Sequence, residues 1–322
     1  MFWTGELIAK TAPVRRRAVA LPERSPQLDR AIAAYVGLAV GDALGATVEF
    51  LTPTEIRHQI GVHGNITGGG WLRLKAGQVT DDTTMALALG ESILTTGSVD
   101  AKAAAEAFDA WMRAKPVDIG NTVRRNLITF RRTGDPEAPA SEHDAGNGAA
   151  MRVLPVALKC YGEPEKTTKI ANRAQAHVTH HNALSDAACE TLIFMVQDLI
   201  AGRDPAEVEG DRAARLVAEY PAFAYDRKRR DNPSGFVVET MQAVLQAFFA
   251  TDSFEDCLIE VVNRGGDADT TGAIAGMLAG ARYGYQAIPR RWLGALDPGT
   301  RLRCEQQALA LFPTEDQPSS QM

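Results

Sequence analysis

Apolar residues recur at helical spacing through most of this chain. Runs with a period near 3.6 cover residues 28–44, 83–95, 102–113, 121–132, 151–160, 168–177, 184–201, 205–219, 237–250, 254–263, 270–283 and 299–311. In such a run, residues three and four apart share a face and can be buried together. No segment shows the convincing alternation of a half-buried strand. The pattern therefore predicts an all-α protein. Breaks between helices are short except at 51–78 and 133–148, which are rich in glycine. Loops longer than a connection requires are where binding residues concentrate, so these two are expected to carry function. No internal repeat and no linker divides the helices, which predicts one compact multi-helix domain over residues 29–312. Residues 1–28 contain Pro13, Pro22 and Pro26 and no sustained period, and are expected to form an N-terminal arm. Residues 313–322 read as a disordered tail.

Glycine adds a packing signal. Gly37, Gly41 and Gly45 recur every fourth residue near the start, and Gly272, Gly276 and Gly280 do the same in the last strongly apolar helix. Each row strips side chains from one helix face, which predicts close helix–helix packing.

Composition excludes several functions. The 322 residues are 45% hydrophobic and 23% charged, with a formal net charge of −6. This is a soluble globular profile without the basic footprint that nucleic-acid phosphates require. The local clusters are Arg15, Arg16 and Arg17, and the run from Arg227 to Arg230, which Asp226 and Asp231 flank as in a solvated loop. Cys160, Cys189, Cys257 and Cys304 are widely spaced, which predicts structural thiols rather than a zinc site or a disulfide framework. No apolar run approaches the ~20 residues of a membrane span, and no signal-peptide pattern follows Met1. The expectation is a cytoplasmic protein with neither nucleic acid nor membrane as partner.

Two short motifs concentrate oxygen donors. QVTDDTTM (78–85) and NRGGDADTTG (263–272) each place carboxylates and threonine hydroxyls where a loop enters an apolar helix. Asp and Thr are good N-caps, and acids suit the positive end of a helix. Capping explains one or two acids per helix and explains two doublets less well, so capping and metal binding both stand open on the residues alone. A metal held by Asp81, Asp82, Asp267 and Asp269 would have oxygen ligands only, which suits magnesium, manganese or calcium over zinc or copper. Four carboxylates suffice for two divalent ions. Asp42, inside an apolar helix, reads as a buried hydrogen-bonding residue, whereas Glu49 follows that helix in a loop and could reach a site. Gly68, Gly69 and Gly70, and the turn Gly146-Asn147-Gly148 opening another helix, are candidate phosphate cradles built from backbone N–H groups.

Taken in order, GLAVGDALGATVEF (37–50), TGGGWLRLKAGQVTDDTTMALALG (67–90), KPVDIGNT (115–122), DAGNGAAMRVLPVAL (144–158), VTHHNALSDAA (178–188) and VNRGGDADTTGAIAGMLAGARYG (262–284) resemble the ADP-ribosylglycohydrolase family. The match is close to its bacterial, dinitrogenase-reductase-activating branch and spans nearly the whole chain. The resemblance implies an all-helical single domain with a cleft holding two Mg2+ or Mn2+ ions. By that likeness Thr80, Asp81 and Asp82 ligate metal from one helix start, and Asp267, Asp269 and Thr270 from another. Glu49 would sit beside the metal pair and act through water. Asp118 would face the scissile bond and the arginine guanidinium, where the residues alone suggest an N-cap for the helix near Asn121. His180 would line the cleft near the target. Gly146, Asn147 and Gly148, with Gly68, Gly69 and Gly70, would hold the diphosphate and distal ribose. Phe236 stands where the branch often has a hydroxyl-bearing aromatic near adenosine, which keeps stacking and loses a hydrogen bond.

The implied reaction is hydrolysis of the N-glycosidic bond of ADP-ribosylated arginine on a protein, reversing mono-ADP-ribosylation. Three rivals differ from it. An immunity protein would neutralise an ADP-ribosyltransferase toxin by hydrolysis or by blocking it with the arm, through Phe2, Trp3 and Arg15 to Arg17. A different metal hydrolase would act on a free nucleotide or on O-linked ADP-ribose of serine. A non-catalytic homologue would use the fold alone, and the complete acidic motifs weigh against that.

Overall fold

The computed structural model describes residues 24–313. The helices in chain order are α1 (Pro26–Gly45), α2 (Pro53–Gln59), α3 (Asp81–Thr96), α4 (Ala101–Arg113), α5 (Asn121–Thr133), α6 (Leu154–Lys159), α7 (Glu165–Ala176), α8 (Ala183–Ala201), α9 (Pro205–Val208), α10 (Ala214–Glu219), α11 (Val237–Phe249), α12 (Phe254–Val262), α13 (Ala268–Tyr283), α14 (Arg290–Ala295) and α15 (Pro298–Leu311). Among the described residues, strand-like pairing is limited to two isolated bridges, Gly69 with Leu74 and Gly146 with Phe236. The fold is all-α, as the periodicity predicts. Most of the predicted arm and the tail beyond Pro313 lie outside the described residues.

The two glycine rows pack against each other. α1 and α13 run antiparallel, with Gly37 on Gly276 and Gly41 on Gly272. A Cβ added at Gly41 would lie 1.9 Å from the Gly272 carbonyl oxygen, and one at Gly280 2.1 Å from the Ala33 oxygen. Backbone therefore meets backbone along the pair. Both helices are apolar all round and buried, over residues 31–45 and 268–281, as expected of central helices. α8, α11, α12 and α15 pack around them, with α3 between α15 and α4. The four cysteines are buried and unpaired, and no described helix is long and apolar enough to cross a membrane.

The differences from the predicted elements have local causes. The long loop 51–78 contains α2, started by a capping box in which Thr52 Oγ1 accepts from Glu55 N (3.3 Å) and Glu55 Oε2 accepts from Thr52 N (2.8 Å). α14 follows Pro289 in a stretch without predicted helix. The predicted helix 205–219 is divided by a wider π turn at Glu209–Ala213. The predicted helix 151–160 starts only at Leu154, where Pro155 suits the first turn. The Gly146–Gly148 turn therefore does not open that helix; it pairs with the segment entering α11, where Val237 N donates to Ala145 O (2.9 Å) and Asn147 N to Gly235 O (3.0 Å).

The backbone contact sets a limit on substitution. Gly272→Ala is expected to destabilise by about 1–3 kcal/mol, the usual range for overpacking, read as a lower urea midpoint. Gly210→Ala, where an added Cβ meets nothing within 4 Å, is expected to be neutral or slightly stabilising. An unchanged midpoint for Gly272→Ala would mean that the helix pair separates without penalty.

Candidate metal centre and active site

Packing α1 against α13 brings the end of one helix beside the start of the other, and α3 joins them through Asp42. Thr80, at the N-cap of α3, makes no side-chain cap of its own. The Asp42 carboxylate caps the helix instead: it accepts from Thr80 N at 3.0 and 3.1 Å, from Thr83 N at 3.1 Å and from Thr83 Oγ1 at 2.5 Å. Asp42 is thus the structural acid that its place in an apolar helix suggests. Burial still lifts its carboxyl to about 6, against the pull of those donors.

The remaining acids gather around this junction. Oxygens of Glu49, Asp267 and Asp269 lie within 4.8 Å of one another. Asp82 Oδ2 accepts from Thr80 Oγ1 (3.1 Å) and lies 3.4 Å from Thr270 Oγ1, so the starts of α3 and α13 share one carboxylate. The other oxygen of Asp82 is buried without a hydrogen-bond partner. Asp81 Oδ2 accepts weakly from Gly120 N (3.4 Å), which draws the Asp118 loop over the cluster. Without a bound cation, burial pushes Asp81 and Glu49 each up to about 8. The Asp118 charge adds to both shifts, so that half-buried acid shares the cleft. Asp82 and Asp269 are also held well above the usual carboxylate range, first by burial and then by neighbouring carboxylates.

This donor set fits a hard divalent cation. Its ligands are oxygens, its carboxylates repel one another, and one buried oxygen lacks a donor. A second group, Glu137, His177 and His181, fits less well. The two imidazoles stack at 3.8 Å and 16°, so their in-plane lone pairs run parallel instead of converging on one ion.

The family model described as ADP-ribosylglycohydrolase matches residues 23–320. The chain belongs to the ADP-ribosylglycohydrolase family. It is 51% identical over 284 residues to the ADP-ribosyl-(dinitrogen reductase) glycohydrolase of Rhodospirillum rubrum, covering 88% of this chain and 96% of that protein. It is 35% identical over 310 residues to the ADP-ribosylarginine hydrolase Tri1 of Serratia proteamaculans, covering 92% and 83%. A solved structure described as an ADP-ribosylglycohydrolase-related protein complex superposes with a TM-score of 0.79 at 37% identity, covering 90% of this chain and 99% of that one.

Within this ADP-ribosylglycohydrolase fold, the expected metal ligands Thr80, Asp81, Asp82, Asp267, Asp269 and Thr270 come together, with Glu49 and Asp118 beside them. The expected substrate contacts differ from one another in exposure and hydrogen bonding. His180 is 2% exposed and lies beneath the Gly146–Gly148 turn, where a Cβ on Gly148 would come within 2.7 Å of its ring. Burial drops the imidazole to about 3, so His180 supports the turn as a neutral ring. The Asn147 amide is also committed: Nδ2 donates to Asp267 Oδ2 (2.6 Å) and to Thr240 Oγ1 (2.9 Å). Through Nδ2 it orients a candidate ligand, Asp267. Phe236 is 41% exposed beside Gly146, a place open to a flat ring. Gly68, Gly69 and Gly70 all have positive φ, from 63° to 86°, and the Gly69 N–H is spent on Leu74 O at 2.8 Å. The turn delivers Trp71, whose Nε1 donates to Glu49 Oε2 at 2.6 Å. Sequence reasoning missed that contact; its only signal is a tryptophan directly after the glycines.

The raised carboxyls carry a pH dependence. Glu49 and Asp81 bind protons more tightly in the cation-free folded chain than when unfolded. Their contribution is therefore fully present at low pH and is lost as pH rises from the ordinary carboxylate range towards about 8. In chelator, the thermal midpoint is expected to fall between pH ~5 and pH ~8, and added Mg2+ is expected to raise it more at the higher pH. An equal Mg2+ gain at both values would mean that these acids are already ionised in the free protein.

Proposed function

We propose that this protein hydrolyses the N-glycosidic bond between ribose C1 and the arginine guanidinium of an ADP-ribosylated protein, using two divalent cations, Mg2+ or Mn2+. The observation that carries this reading is the convergence of the Glu49, Asp267 and Asp269 oxygens beside Asp82, whose second oxygen lacks a partner, in a chain so similar to a named ADP-ribosyl glycohydrolase. Asp81, Asp82, Asp267 and Asp269, with Thr80 and Thr270, would hold the cations. Bound there, divalent cations would fix the ribose hydroxyls and polarise the site.

The protein's own groups perform the proton transfers. The C1–N bond breaks with its electron pair going to nitrogen, and a water oxygen bonds to C1. Glu49 takes the proton that the water loses, and Asp118 orients the leaving guanidine and supplies its proton. Positive charge grows on the sugar as the bond opens, and the surrounding carboxylates stabilise it. Burial raises the proton affinity of both acids, which suits exchange near neutral pH; a bound cation lowers it. Phe236 offers its exposed ring to adenine.

The higher identity to the dinitrogen reductase glycohydrolase than to the Tri1 hydrolase favours an endogenous modified protein as substrate over a toxin's product. The unpaired buried cysteines suit a reducing cytoplasm.

The test incubates a protein mono-ADP-ribosylated on arginine with wild type and Asp269→Ala, in Mg2+, Mn2+ or chelator. Metal-dependent ADP-ribose release is expected for wild type and is expected to be lost in the variant. No release with any cation would sink the arginine reading. Asp118→Ala and Glu49→Ala are each expected to lower turnover by roughly 100-fold or more while calorimetry still detects cation binding. Full activity in either would remove that residue's role.

A further inference from the structure

Glu49 is held by a residue that reaches in from the surface. The Trp71 Nε1–H is the one side-chain donor to its carboxylate among the described residues. Glu49 is 4% exposed, whereas Trp71 is 53% exposed and Phe50, against which it packs, is 62% exposed. The two rings lie 5.3 Å apart and tilted by 49°. Leaving that much aromatic surface in water forgoes burial that a core position would supply, so packing alone does not account for tryptophan here.

The backbone around this pair is locally unfavourable and heavily pinned. Phe50 has φ +63°, a left-handed conformation uncommon for a bulky residue. Its N–H donates to Gly266 O (2.7 Å), and Gly266 N donates to Leu51 O (3.0 Å), which ties the segment to the residue before Asp267. On the other side, Thr47 Oγ1 donates to Gly68 O (3.1 Å), and Gly70 lies so close to Ala46 that an added Cβ would be 2.3 Å from its carbonyl oxygen. Glu49 and Trp71 thus sit on two segments fixed to each other and to the start of α13. Without the indole donor, the Glu49 side chain loses its one side-chain tether among the described residues and is free to take other rotamers.

We propose that Trp71 is a positioning residue for the hydrolysis, its indole N–H fixing the Glu49 carboxylate against the Asp267–Asp269 side of the cleft. The proposal rests on the reading that Glu49 receives the proton of the attacking water. Trp71 touches neither water nor ribose in this role; it acts through Glu49.

Steady-state kinetics on arginine-ADP-ribosylated protein, with Mg2+, would compare wild type, Trp71→Phe, Glu49→Gln and the double variant. Trp71→Phe keeps an aromatic ring and removes the donor. It is expected to lower kcat by about 10- to 100-fold with KM within about twofold, as for a misplaced reacting group. Its thermal midpoint and Mg2+ affinity are expected to match wild type. In the Glu49→Gln background the same change is expected to cost little more, because the two residues act as one unit. Wild-type kcat for Trp71→Phe with Glu49→Gln impaired would overturn the proposal and leave the Glu49 reading intact. Losses that multiply in the double variant would also overturn it, by placing the effect of Trp71 elsewhere. Full activity of Glu49→Gln would remove the Glu49 reading and the proposal together.

Discussion

The contact on which the rest depends is the backbone-to-backbone seam between α1 and α13. Because glycine faces glycine at Gly37–Gly276 and Gly41–Gly272, the two helices approach more closely than side chains would permit. That seam fixes more than spacing. It places the end of α1, with Asp42 and Glu49, beside the start of α13, with Asp267 and Asp269. Any residue that widened the seam would move acids on one helix relative to acids on the other.

The seam also concentrates negative charge where water is scarce. Each acid meets that cost differently. Asp42 is surrounded by amide and hydroxyl donors from Thr80 and Thr83, and it spends its charge on holding α3 in place. Asp82 keeps one buried oxygen without a donor, and Glu49, Asp267 and Asp269 face one another. A satisfied acid supports structure, whereas unsatisfied acids in mutual contact require a cation or protons. That difference separates scaffold from candidate ligand more clearly than burial does.

Behind this layer, neutral groups hold one of the acids, and a buried cation braces the elements around them. Asn147 holds Asp267 and the buried His180 ring backs the Asn147 turn. Arg152 is fully buried and has no carboxylate partner among the described residues; it donates to Gln175 and Thr179 and lies 4.2 Å over the Phe108 ring. Burial lowers its guanidinium to about 9. Polar residues that a motif comparison would place at the substrate are therefore spent partly on orienting one another.

By itself the sequence determined the class of the fold and the identity of the acids. Helical periodicity is local, so the apolar runs found most of the helices. The glycine rows announced a tight helix pair, and the TDDTT and DADTT motifs marked both helix starts. The short helices α2 and α14 were less legible, because a few residues carry too little periodicity and tertiary packing decides them. Only the tertiary structure decided which acid caps a helix, which way Asn147 and His180 point, and that Trp71 reaches Glu49. Those facts depend on where donors from distant segments fall around a carboxylate, and local sequence carries no record of such distances.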